Sequence, residues 1–97
     1  MDTTLKDSRV LELRQEGKSF AVIAKQLGYE KPREVWLAFN RALRRHAPEE
    51  QASLRKDEMG RLQALTESIQ ARSDLTEEIL AKRLAAVERM RVVLCTK

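Results

Sequence analysis

The sequence predicts an all-α protein, with a three-helix head in its first half and an antiparallel helical hairpin in its second half. Apolar residues recur at intervals of three and four along most of the chain, which is the spacing of amphipathic helices. Gly17, Gly28 and Pro48 interrupt this pattern where helices are expected to end or begin. Charged residues make up 35% of the chain, but the apolar stripes argue against wholesale disorder.

The first helix is expected over about residues 5–16. Thr4 is a candidate N-terminal cap, and Asp7 would lie in the first turn. Three apolar residues of this helix should face the core: Val10, Leu11 and Leu13.

Gly17 should end the first helix, and Ser19 should cap the second. The run Gly-Lys-Ser at this point also resembles the end of a phosphate-binding loop. That loop requires a second glycine five residues earlier, where this sequence has Glu12. A helix stop followed by a helix cap is therefore the preferred interpretation.

Residues 19–46 predict a short helix, a tight turn and a second, basic helix. The short helix is expected over residues 20–27, with Gly28 ending it and Pro32 in the first turn of the next. This order is typical of a helix-turn-helix unit, whose second helix enters the major groove of DNA. Its first helix is expected to bury Phe20, Val22, Ile23, Ala24 and Leu27, with Tyr29 packing beside it or reaching a phosphate.

The basic helix, expected over residues 32–46, has two faces of different chemistry. One face is apolar and should pack on the head: Val35, Phe39, Ala42 and Leu43, with His46 on the same side. Trp36 lies beside this face, either packed under a neighbouring helix or at a contact between protomers. The opposite face and its flanks supply the candidate DNA-binding residues: Lys31, Arg33, Glu34, Leu37, Asn40, Arg41, Arg44 and Arg45.

These candidates divide by position. Residues near the start of a recognition helix usually reach base edges, which favours Arg33, Glu34 and Leu37 for sequence readout. Asn40 can bridge adenine N6 and N7. Four cations are better suited to phosphates: Lys31, Arg41, Arg44 and Arg45. A merely solvated basic face is the alternative interpretation.

Pro48 predicts a boundary between a DNA-binding head, residues 1–47, and a self-association hairpin, residues 48–97. Helices are expected over about residues 49–70 and 75–94, and Asp74 with Glu77 has the spacing of a capping box. So short a connection favours an antiparallel pair. The apolar stripes predict an interface with a second protomer, or with the head: Leu62, Leu65, Ile69, Ile79, Leu80, Leu84, Val87 and Met90.

Charge is distributed unevenly between the two halves. Residues 1–47 contain ten Lys or Arg and six Asp or Glu, a balance of +4, whereas residues 48–97 contain nine of each. A basic first half is the footprint of a nucleic-acid binder. With one histidine, His46, and one cysteine, Cys95, we expect no metal, no cofactor and no enzymatic activity. The sequence contains neither a signal peptide nor a long apolar run, so we expect a cytoplasmic protein with no membrane association.

The run SFAVIAKQLGYEKPREVWLAFNRALRRH, followed by the two later helices, resembles helix-turn-helix proteins of actinobacteria and their phages. Over about residues 8–94 the layout is also similar to that of the small terminase subunits of tailed phages. This resemblance implies a head that binds the packaging site on phage DNA, a hairpin that assembles a ring, and a large terminase as partner. By position, the DNA role would fall on Lys31, Arg33, Arg41 and Arg44.

Three functions are therefore compatible with the sequence. The first is a DNA-packaging recognition subunit, binding double-stranded DNA as a homo-oligomer. The second is a dimeric transcriptional regulator or nucleoid-associated protein with the same head. The third is an adaptor whose apolar hairpin binds another protein. The charge asymmetry favours the first two over the third, but does not separate them.

Overall fold

The structure, a computed structural model, describes residues 3–95. The described residues form five helices and no strand, so the protein is all-α. The chain divides into two compact units between Gln51 and Ala52. The helices are α1 (Thr3–Gln15), α2 (Phe20–Leu27), α3 (Pro32–Arg44), α4 (Pro48–Gln70) and α5 (Glu77–Cys95).

Within the first unit, α1, α2 and α3 all pack against one another, and the contact between α1 and α3 is the most extensive. Phe20 meets Phe39 edge to face, with ring centroids 6.0 Å apart. Arg14 places its guanidinium over the Phe20 ring and donates a hydrogen bond to the Lys18 carbonyl. The head therefore has a small apolar core closed at one edge by a buried arginine.

The cap of α2 and the glycines that end α1 and α2 are those predicted from the sequence. Ser19 Oγ accepts the Val22 backbone N–H at 3.2 Å, which confirms the predicted cap of α2. Gly17 and Gly28 adopt left-handed conformations with φ of 94° and 77°, as helix-ending glycines do. The Tyr29 N–H then returns to the Ala24 carbonyl at 2.9 Å and fixes the exit from α2.

The predicted cap of α1 and the predicted burial of Val22 are wrong. Thr4 lies inside α1, which begins at Thr3, so it does not cap that helix. Val22 is 47% exposed, because the buried stripe of α2 runs through Phe20, Ile23 and Ala24, and Val22 lies about 160° around the helix from both Phe20 and Ala24.

In the second unit, polar side chains connect α4 and α5. Arg55 Nε donates to the Leu94 carbonyl at 3.1 Å. Arg91 Nη2 donates to Thr66 Oγ1 at 2.8 Å and to Gln63 Oε1 at 3.3 Å. Four apolar side chains of this unit are buried: Leu62, Ile69, Val87 and Leu94.

The predicted capping box before α5 is also wrong. Thr76 Oγ1 accepts the Ile79 N–H at 3.2 Å, so Thr76 caps the helix. Asp74 instead accepts two hydrogen bonds from the Arg72 guanidinium, at 3.0 and 2.7 Å. This pair lowers the pKa of Asp74 and raises that of Arg72.

Candidate nucleic-acid interface

The outer surface of α3 is narrow and basic. Successive residues advance by about 100° around a helix, so the exposed positions form one stripe along α3. We call the following six residues the outer stripe: Arg33, Glu34, Leu37, Arg41, Arg44 and Arg45. Leu37, in the middle of the stripe, is 37% exposed. The stripe presents four guanidiniums and one carboxylate around a single apolar side chain.

Packing against two helices explains why the outer stripe is narrow. Because α3 contacts both α1 and α2, the buried part of its surface is wide. It comprises Val35, Trp36, Ala38, Phe39, Asn40, Ala42 and Leu43. The apolar face predicted from the sequence is contained in this set, apart from His46, which is exposed beyond the end of α3.

Asn40 is not available to read a base. Its side chain is 4% exposed, and Nδ2 donates to the Trp36 carbonyl at 2.8 Å. Asn40 lies at the edge of the outer stripe, where the packing of the head covers it. The prediction that Asn40 bridges adenine is therefore wrong.

The start of α3 is more accessible. The side chains of Lys31 and Arg33 are exposed and make no hydrogen bond or ion pair within residues 3–95. Pro32 stands in the first turn of the helix, as predicted, and Glu34 supplies an acidic residue there. This end of the outer stripe therefore presents side chains that can reach a partner without breaking an existing contact.

The other end of the stripe is anchored to α1 through Asp7. Arg41 Nε lies 2.9 Å from Asp7 Oδ2, and Arg41 Nη2 lies 3.0 Å from Oδ1. Arg45 Nη1 lies 3.1 Å from the same Oδ2. The Asp7 side chain is fully buried, whereas those of Arg41 and Arg45 are 45% and 41% exposed. The hydrogen bond to Asp7 raises the pKa of Arg41, so Arg41 is positively charged at physiological pH.

Tyr29 and Lys6 complete the surroundings of this ion cluster. Lys6 Nζ stands 4.3 Å from the centroid of the Tyr29 ring. Burial raises the pKa of Tyr29, the Asp7 charge raises it further, and Arg41 opposes them. Tyr29 is therefore a neutral phenol at physiological pH, able to donate a hydrogen bond.

Sequence reasoning missed the role of Asp7. The sequence predicts Asp7 in the first turn of α1, as a favourable charge for the helix dipole, and this is wrong: α1 begins at Thr3 and has no acidic residue in its first turn. Asp7 is buried and binds two arginines of the α3 region. One signal was present: Asp7 precedes Val10 and Leu11 by three and four residues, so it lies on the buried face of α1. A carboxylate at such a position requires a cationic partner.

An open groove of about 390 Å³ lies between α1 and α2, on the part of the head lined by Leu5, Lys6, Arg9, Gln26 and Leu27. Its lining combines leucine side chains with two cations. Leu5 is 66% exposed. Arg9 is already paired with Glu12 at 2.9 Å.

The predicted interface residues of the second unit fall into three groups. Leu62, Ile69 and Val87 are buried within the single chain, so their assignment to a contact between protomers is wrong. Leu65 and Ile79 are 39% and 43% exposed. The other three predicted residues are half-buried: Leu80, Leu84 and Met90.

No protein-family model, curated protein or solved structure matches the chain. Among residues 3–95, no three His, Cys, Asp or Glu side chains come together as a metal site would require. The same residues include no helix with the length and apolar character needed to cross a membrane. Function is therefore inferred from the residues and their geometry.

Proposed function

We propose that the chain binds double-stranded DNA through the outer stripe of α3, with α2, the turn at Gly28 and α3 acting as a helix-turn-helix unit. The observation that carries this proposal is the stripe itself, which presents four arginines on one exposed side of a helix. The three-helix core holds the opposite side of α3, so the stripe faces a partner without disturbing the fold. In this arrangement the start of α3 reads base edges and its end contacts the backbone.

Arg33 and Leu37 are the proposed base-reading residues. Arg33 can donate two hydrogen bonds to guanine O6 and N7, and Leu37 can contact a thymine methyl group. The proposed phosphate contacts are Lys31, Arg41, Arg44 and Arg45. Their positive charges attract the DNA backbone whatever the base sequence.

The second unit is proposed to join several heads. The hydrogen bonds from Arg55 to Leu94 and from Arg91 to Thr66 support an antiparallel hairpin, since the later of the two α4 residues bonds to the earlier of the two α5 residues. Leu65 and Ile79 remain exposed on this unit and are the proposed contacts with another protomer. Linking heads makes later DNA contacts intramolecular, which raises avidity on the order of 10²–10⁴-fold.

A terminase-like packaging subunit is the preferred role for such an assembly, and it rests on the resemblance of the sequence. A dimeric regulator with the same head is the second candidate. A large terminase is the protein partner that the first role implies. The number of protomers distinguishes the two roles, because a regulator requires two half-sites and a packaging subunit requires a ring.

The binding surface is tested with two double variants of equal charge change. Arg33→Ala with Arg44→Ala removes two cations from the outer stripe. Lys82→Ala with Arg83→Ala removes two cations from α5, in the second unit. Fluorescence anisotropy with a labelled duplex should show a loss of at least tenfold in affinity for the first variant and little change for the second. Equal effects of the two variants would contradict the choice of α3.

A further inference from the structure

The Asp7 carboxylate is fully buried and pairs with two arginines of the α3 region. Removing a carboxylate from water is costly unless cations and hydrogen bonds replace the solvent. Asp7 obtains both from Arg41, which binds it through two parallel hydrogen bonds, and from Arg45. The carboxylate therefore fixes two long side chains that would otherwise sample many rotamers.

The two arginines retain binding capacity after this contact is made. A guanidinium has five N–H donors, and Asp7 occupies only Nε and one Nη2 hydrogen of Arg41, and Nη1 of Arg45. Both side chains are more than two-fifths exposed. Two positive charges for one negative charge leave a positive excess at the surface, and Lys6 stands close by over the Tyr29 ring. A backbone phosphate is negative and has two non-bridging oxygens, which match the paired N–H groups of a guanidinium.

The position of the cluster indicates which part of DNA it would meet. Arg45 lies twelve residues after Arg33, which corresponds to about 18 Å along the helix axis. A contact so far from the base-reading end would fall on the backbone at the edge of the groove. Such contacts set the register and orientation of a recognition helix.

We propose that Asp7 is a positioning residue that holds Arg41 and Arg45 as a clamp for a DNA backbone phosphate. This inference rests on the proposed function. The mechanism is preorganisation: because Asp7 has already ordered the arginines, binding loses less side-chain entropy than it would with two free side chains. Tyr29 lies near enough to Asp7 and Arg41 to feel their charges, and Lys6 stands over its ring, so these two side chains can add to the clamp.

Removing the negative charge of Asp7 should weaken the binding of DNA, although DNA is itself negative. Asp7 is negative and so is DNA, so removing its charge would strengthen binding if only long-range electrostatics mattered. A positioning role requires the opposite, because the arginines lose their anchor. The comparison variant is Glu12→Gln, which removes the same charge from an exposed site on the same helix.

The experiment measures the affinity of wild type, Asp7→Asn and Glu12→Gln for a duplex of arbitrary sequence over a series of salt concentrations. We expect Glu12→Gln to bind as tightly as wild type or more tightly. Asp7→Asn should bind at least tenfold more weakly than Glu12→Gln at low salt, and its plot of log K against log salt should be shallower by about one. A folded Asp7→Asn protein that binds like Glu12→Gln would overturn the positioning role.

A second pair of variants keeps the proposal testable if Asp7→Asn fails to fold. Arg45→Gln leaves Arg41 as a partner for Asp7, and Arg9→Gln removes a cation from an exposed position of α1. Arg45→Gln should lose about one unit of salt slope and Arg9→Gln should not. Equal slopes would overturn the clamp while leaving DNA binding intact, whereas a wild-type protein that binds no duplex would overturn both.

Discussion

The Asn40 side chain donates a hydrogen bond to the Trp36 carbonyl at 2.8 Å, one turn earlier in α3, and both side chains are buried. Asn40 Oδ1 and Trp36 Nε1 have no hydrogen-bond partner within residues 3–95. A residue that resembles a base reader in the sequence is thus part of the head's interior. We therefore assign Asn40 to the packing of the head and not to the reading of DNA bases.

Asn40→Leu should leave both stability and DNA binding close to those of wild type. The substitution removes one hydrogen bond but also removes the unsatisfied Oδ1, and the two effects offset one another to within about 1 kcal/mol. Denaturant unfolding and a duplex titration measure the two properties. Phe39→Ala is the positive control for core disruption, at a cost of about 3–5 kcal/mol. A folded Asn40→Leu protein that cannot bind DNA would show that Asn40 reaches the duplex after all.

Tyr29 should make stability depend on pH in the alkaline range. Its pKa is raised from 10.0 in the folded protein, so the folded state holds its proton more tightly than the unfolded state. The contribution is therefore fully present below pH 10.0 and is lost as pH rises through the folded pKa. Since Tyr29 is the single tyrosine, its absorbance titration reports this group alone.

The matched control for this prediction is Tyr29→Phe. The fall in unfolding free energy above pH 10.0 should be smaller in this variant than in wild type, because phenylalanine has no phenol proton to lose. A tyrosinate absorbance midpoint at or below 10.0 would contradict the buried environment assigned to Tyr29.

Gly60→Ala should stabilise the protein. Gly60 lies inside α4 without a positive φ, and a Cβ added there meets no atom within 4 Å. Alanine in a helix interior is more stable than glycine by about 0.5–1 kcal/mol. Gly28→Ala is the contrasting variant, because φ of 77° is unfavourable for alanine and the change should destabilise. Chemical unfolding of the two variants should therefore move the midpoint in opposite directions.

The exposed apolar residues of the second unit should determine the assembly state. Light scattering on the protein without DNA should give a mass well above that of a monomer, with a ring supporting the packaging role and a dimer the regulatory role. Leu65→Gln with Ile79→Gln should lower this mass, because both side chains are more than a third exposed. Val22→Gln changes a similarly exposed residue of the head and should leave the mass unchanged. A wild-type monomer would exclude the proposed interface.

Local chemistry made much of this fold predictable. Ser19 and the two left-handed glycines act within a few residues of their own positions, so the ends of α1 and α2 follow from the sequence. The core residues Val10, Phe39 and Leu43 were predicted from helical spacing and are buried. The structure begins α4 at Pro48, one residue before the predicted start.

The remaining features depend on contacts between distant residues. The Asp7–Arg41 pair joins positions 34 residues apart, and no local pattern specifies which arginine an acid will meet. Asn40 is buried because α3 packs on two helices, and a helical wheel that assumes one contact face does not show this. Likewise, Leu62 and Val87 lie in apolar stripes, and such a stripe has the same sequence pattern whether the same chain or a second protomer covers it.

The salt dependence of wild-type binding to duplex DNA tests most directly whether the cations of the head bind the DNA backbone. Five cations lie between residues 31 and 45, and neutralising about four phosphates per head predicts a slope near −3.6 for log K against log salt. We expect a steep slope of this size, and we expect Arg33→Ala with Arg44→Ala to reduce it. An affinity that is indifferent to salt, or the absence of duplex binding at low salt, would contradict DNA binding by the head.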